Sequence, residues 1–157
     1  MVARWAAVLL TGGALLLSSG CKKDENSTGT GPTQSPPPPE LVGTWVFQSG
    51  TLGGNPVDLA DVMEWVDGAT SAEFTVGGDG TYSYRERDSA GAVLYNSAGT
   101  FTVSGINATI TITSKDGQPI SPPEVLSGTW SLSGDGQELT LTYNLITQNL
   151  VLIARKL

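Results

Sequence analysis

From residue 71 onward, apolar side chains recur at every second position. Phe74 and Val76 alternate with polar neighbours, as do Tyr82 and Tyr84, Phe101 and Val103, then Ile106, Ala108, Ile110 and Ile112. The period resumes at Trp130 and Leu132 and again at Leu139, Leu141 and Tyr143. Period two marks strands with one buried face. The intervening Thr and Ser residues suit the wet face of a pleated sheet. Asp79-Gly80, Asp116-Gly117 and Asp135-Gly136 punctuate the runs, and Asp-Gly is a strong short hairpin signal. The pattern predicts eight or nine strands, near 41–49, 71–77, 80–88, 92–95, 98–105, 107–114, 127–133, 137–145 and 149–156. Tight turns between them make sequential strands antiparallel neighbours.

One segment has a different period. Leu59, Val62, Met63 and Val66 fall at i, i+3, i+4 and i+7, with Trp65 beside the stripe. Pro56 suits a helix start and Gly68 a stop, so a single short helix is expected after the first strand. Pro119, Pro122 and Pro123 predict a loop over 119–125, because proline cannot donate to a sheet ladder. A long meander leaves two unpaired edges, and closure into a barrel removes both. The expected fold is therefore all-β, an antiparallel up-and-down meander closed into a barrel of about eight strands. Such an interior is either filled by side chains or holds one small ligand. A weak internal echo links FTVGGDGTY at 74–82 with WSLSGDGQELT at 130–140, and Gly-Thr-Trp recurs at 43–45 and 128–130. Duplication explains this, and so does shared hairpin chemistry.

Composition narrows the chemistry. There is no His and a single Cys, and the formal charge is -7. Histidine-based triads, histidine metal sites, internal disulfides and CxxC motifs are thereby excluded. The acidic balance argues against a nucleic-acid partner, which would call for a basic stripe. A serine nucleophile would lack a base. Asp58, Asp61 and Glu64 share one helical face, an arrangement usual for a solvated side, and the Asp-Gly turns lack the acidic density of calcium loops. No catalytic set, metal ligands or cofactor is expected, and the protein reads as a non-enzyme.

The amino terminus reads as an address. Arg4 precedes 13 mostly apolar residues at 5–17, too few for a bilayer span of about 20 and suited to a signal peptide. The stretch runs into Ser18, Ser19, Gly20 and Cys21. Small residues before a Cys resemble the lipobox of bacterial lipoproteins, with Ser18 standing where Leu is more usual. The resemblance implies a signal peptide over 1–20, cleavage before Cys21, and lipid on the Cys21 thiol and the new amino terminus, palmitate included. Acyl chains contribute about 0.8 kcal/mol per buried CH2, so the implied partner is a membrane. Residues 21–40 contain no hydrophobic side chain after Cys21 and are rich in Pro, Ser, Thr and Gly. They read as a disordered tether, ahead of a folded domain at 41–157. Lys22 after the Cys resembles lipoproteins sorted to the outer membrane. Lys23-Asp24-Glu25 resembles a tag for surface display, and equally an ordinary solvated charge run. The expected location is the outer membrane, on its periplasmic face or the cell surface.

The strand that opens at Leu41-Val42-Gly43-Thr44-Trp45 resembles the Gly-x-Trp start of lipocalins, and more narrowly the lipocalin-like lipoproteins of bacteria. The hairpin from Phe74 to Thr81 and the closing Gly-Thr-Trp strand, Asp-Gly turn and Leu-Thr-Leu-Thr strand at 128–142 follow in the same order. The resemblance implies an Arg near the end of the last strand packed across the first-strand Trp. The matching residues are Trp45 and Arg155, and pairing of first and last strands gives the contact a physical basis, worth ~0.5–2 kcal/mol. Otherwise Arg155 and Lys156 are solvated charges. It also implies that 49–70 overhangs the barrel mouth, with Leu59, Val62, Met63, Trp65 and Val66 as lid or ligand-facing residues. The alternative is a helix that seals a packed core. The implied function is binding of a small hydrophobic ligand inside the barrel. The alternative is a structural or interaction module of the envelope with a filled core.

Overall fold

In a computed structural model the chain is described over residues 36–63 and 65–157. The sequence predictions for 1–20 and for Cys21 lie outside these residues. Nine antiparallel strands follow one another: β1 (Gly43–Leu52), β2 (Asn55–Val57), β3 (Ser71–Val76), β4 (Thr81–Arg87), β5 (Val93–Ser104), β6 (Asn107–Lys115), β7 (Gln118–Leu132), β8 (Glu138–Asn144) and β9 (Asn149–Lys156). Each strand from β3 on pairs with the next, and β1 pairs with both β3 and β9, so the sheet closes on itself. The result is an eight-stranded barrel. β2 is an extra short leg that folds back on the far end of β1, pairing Gly50 with Val57.

The turns work as their residues dictate. Asp79 Oδ1 accepts hydrogen bonds from the Thr81 amide and hydroxyl, and Gly80 supplies φ of +83°. Those bonds hold the Asp79 carboxyl below its ordinary range. Asp135 repeats the device with Gln137 and Ser133, so the two echoing segments carry the same turn chemistry. At Asp116-Gly117 both residues have positive φ, as the commonest two-residue hairpin turn requires.

Three expectations need correction. The two short strands expected at 92–95 and 98–105 are one, β5, carrying an irregularity at Ala98 and Gly99. The backbone carbonyl of Thr111 comes so close there that no Cβ fits on Gly99. The loop expected at 119–125 belongs instead to β7. The prolines are tolerated because β7 meets β8 only at 129–132 and its register against β6 shifts between Ile112 and Ser114. Along an edge or bulge a missing N–H costs no ladder bond. The helix is shorter than its apolar stripe: α1 spans only Leu59–Val62. Asp58 caps it through the Ala60 amide, while Pro56 lies in β2 and Gly68 in a later turn.

The alternating residues point inward as their period demands. Phe74, Val76, Phe101, Leu139 and Ala154 are buried. At one end of the barrel the interior is sealed. A 3-10 turn over Pro39–Leu41 places Leu41 beneath Trp45, and the indole Nε1 donates to the Leu41 carbonyl at 2.9 Å. The cation over the indole is Lys156, 5.2 Å from the ring centroid, and not Arg155. The register explains the one-residue difference: Trp45 lies opposite Lys156, and Arg155 lies opposite Val46. Side chains alternate across a strand, so Arg155 projects to the outside. Lys156 Nζ also donates to the Glu40 carbonyl at 3.0 Å.

Candidate functional site

The other end of the barrel is hollow. A cavity of about 580 Å³ runs down from the mouth. Its inner wall is apolar: Phe47, Phe74, Ile110, Leu141 and Leu152 face it from five different strands. Phe47 and Phe74 pack with their rings tilted by 39°, 5.2 Å between centroids. The interior is thus packed only in its lower part, around Trp45, Phe101 and Leu139.

Polar groups gather on one side, where β4 to β7 approach the mouth. Continuing the inward phase of β4, Tyr82 and Tyr84 are followed by Glu86, which is only 3% exposed. Its Oε1 accepts from the Tyr84 hydroxyl at 2.9 Å, and its Oε2 from the Val66 amide at 2.7 Å. Burial, then the negative Glu86 beside it, pushes the Tyr84 phenol far above its ordinary value. Burial also raises Tyr82 and Tyr95, and takes Tyr143 up to about 12. Tyr95 lies opposite Glu86 and Ser97 opposite Tyr84. Next to them Lys115 donates to Glu124 at 2.6 Å, and that bond raises the Lys115 ammonium. All of these residues line the cavity.

The segment after α1 crosses the mouth. Val62, Met63 and Val66 line the cavity. Leu59 and Trp65 pack against the core without lining it. Leu59 reaches the backbone of β1, its Cδ2 coming 3.1 Å from where a Cβ on Gly50 would lie. The Glu86–Val66 bond holds this cap to β4. The cap therefore owes its position to a strand carboxylate more than to helix length.

The wall is open on one side. β7 pairs with β6 at 124–129, but β8 joins it only from Thr129 onward. Gly128 marks the point of divergence, its Cα so near the Thr142 carbonyl that a side chain would not fit. Beyond it Leu126 and Leu145 line the cavity yet are 44% and 48% exposed. The cavity therefore reaches solvent between β7 and the β8–β9 turn as well as under the cap.

Sequence reasoning singled out the cap residues but missed the polar band. Glu86, Ser97, Lys115 and Glu124 were hidden because a polar residue in a polar-rich alternation reads as solvent-facing. The signal available was phase: Tyr82, Tyr84 and Glu86 are spaced by two, which puts the acid on the buried face.

No protein-family model matches the chain. No curated protein matches it in sequence. Among solved structures it resembles the Echinococcus granulosus fatty-acid-binding protein 1, at 14% identity and a TM-score of 0.40, over 75% of this chain and 98% of that one. It also resembles the REP1-NXSQ fatty acid transporter, at 11% identity and a TM-score of 0.39, over 75% and 96% of the two chains.

Proposed function

We propose that the barrel is a non-enzymatic binding module that takes one small apolar molecule into its interior, and that lipid on Cys21 fixes the chain to a membrane. The observation that carries the binding reading is the cavity itself. Its volume of about 580 Å³ falls within the ~300–1,000 Å³ common to small-molecule sites. Leu141, Leu152 and Ile110 give it an apolar floor, and Val62, Met63 and Val66 an apolar roof. The envelope reading rests on the sequence of 1–40. There an apolar leader, a single Cys behind small residues, and a tether without hydrophobic side chains follow in order. A leader at 1–20 and a tether from 21 belong to the same reading, as does a place on the outer membrane; the tether expected to run to 40 ends earlier, because Pro37 is buried and Pro39 and Glu40 pack onto the barrel end.

Titration with the uncharged probe N-phenyl-1-naphthylamine tests the binding reading. Saturable enhancement with one site per barrel is expected from the wild type. Ile112→Trp, which fills the cavity wall, should abolish it while the β-sheet circular dichroism is retained. A wild-type protein that gives no saturable enhancement would overturn the proposal.

A further inference from the structure

The charges inside the cavity constrain what can occupy it. The lining carries two carboxylates, Glu86 and Glu124, and one ammonium, Lys115. Lys115 is held by Glu124 at 2.6 Å. Glu86 makes no ion pair among the described residues, although it is the more deeply buried acid. Both of its oxygens act as acceptors, one for a phenol and one for a backbone amide. Each carboxylate oxygen has two acceptor positions, so Glu86 retains acceptor capacity towards the cavity it lines. Arginine, the usual partner for a buried carboxylate or phosphate, is absent from the lining: Arg85 and Arg87 engage Glu73 outside the barrel.

We infer that the ligand is an amphiphile with an uncharged or cationic, hydrogen-bond-donating head that meets Glu86, its apolar chain lying on the floor at Leu141 and Leu152. This rests on the binding reading above and specifies its ligand class. An anionic head would be brought against Glu86, a buried carboxylate with no ion-pair partner among the described residues, and like charges repel. An ammonium, amide N–H or hydroxyl would instead give Glu86 a further donor. The polar band lies near the mouth, so such a molecule enters chain first.

A matched C12 series separates the terms: dodecylamine, dodecanol and dodecanoate, each below its micellar concentration, competing with N-phenyl-1-naphthylamine at pH 7.5. The amine should bind at least about tenfold more tightly than the carboxylate, with the alcohol between them. Glu86→Gln should shrink that ratio to within about threefold. Lys115→Ala, which leaves Glu124 unpaired, should widen it, and this variant serves should Glu86→Gln fail to fold. Dodecanoate binding as tightly as the amine to the wild type would overturn the inference and leave the cavity reading standing. So would a Glu86→Gln variant that weakens all three ligands equally, because Glu86 would then act only on the cap. Failure of all three to compete, together with failure of the probe to bind, would bring down the cavity reading itself.

Discussion

Lys156 sits opposite Trp45 across the β1–β9 seam and carries its ammonium 5.2 Å from the centre of the indole. Its neighbour Arg155 points away, on the side of Asp135, whose carboxyl is held below its ordinary range by the Ser133 hydroxyl and the Gln137 amide, with Arg155 adding least. Lys156→Ala should therefore cost about 0.5–2 kcal/mol in urea unfolding, and Arg155→Ala no more than ~0.5 kcal/mol. Trp45→Ala removes a side chain with no exposure and the bond to Leu41, and should cost about 3–5 kcal/mol. Equal effects from the Lys156 and Arg155 variants would contradict the register.

All four tyrosines of the chain, Tyr82, Tyr84, Tyr95 and Tyr143, face the interior and have raised pKa values. An unfolded tyrosine ionises near pH ~10. Below that pH both states hold the proton, and the full stability is present. Above it the unfolded chain binds fewer protons than the folded one, so stability falls as pH rises. The part due to Tyr143 is lost between the unfolded value and about 12. Absorbance at 295 nm should show phenolate appearing together with loss of native circular dichroism, and near pH ~10 in urea. Reversible native-state titration near pH ~10 would refute this.

Removal of the Glu86 side chain should loosen the cap before it loosens the barrel. Glu86→Ala leaves the Tyr84 hydroxyl and the Val66 amide without their acceptor, a loss of about 2–4 kcal/mol. Hydrogen exchange should accelerate most at 62–66 and at β4. Uniform acceleration around the barrel would show that Glu86 does not tie the cap.

Two glycines hold the strands together by having no side chain. Gly99→Ala and Gly128→Ala would drive a Cβ into the Thr111 and Thr142 carbonyls, and each should cost more than about 2 kcal/mol. Gly134 has nothing near its missing Cβ, and Gly134→Ala should stay within ~0.5 kcal/mol. Thermal melts of the three variants compare them directly.

Lipid attachment predicts that Cys21→Ala moves the protein from the membrane fraction to the soluble fraction. Mass spectrometry of the wild-type amino-terminal peptide should show acyl chains on Cys21. Continued membrane retention of the Cys21→Ala protein would contradict the anchor.

Much of the barrel could be read from the chain because its two faces differ in polarity. Phe101, Ile110 and Leu141 each stand between two threonines, and Asp-Gly pairs mark three of the turns. What escaped notice depends on single-residue phase or on distant partners. Arg155 and Lys156 are both cations near the chain end, and only the pairing to β1 decides which one faces the indole. Pro119, Pro122 and Pro123 argue against a strand locally, but nothing local reveals that β8 leaves that stretch of β7 unpaired. Glu86 looks like any surface acid until Tyr84 and Val66 are seen to bond it. The apolar stripe at 59–66 is real, yet its helical bonding ends with the Met63 amide on the Leu59 carbonyl, and Val66 is held by Glu86 instead.

The divergence of β7 from β8 beyond Gly128 gives the barrel a side door, flanked by Leu126 and Leu145. Were the proposed ligand to pass there, the Glu86–Val66 tie would not have to break. Under the proposed function, exchange would then answer to one stretch of wall and retention to another.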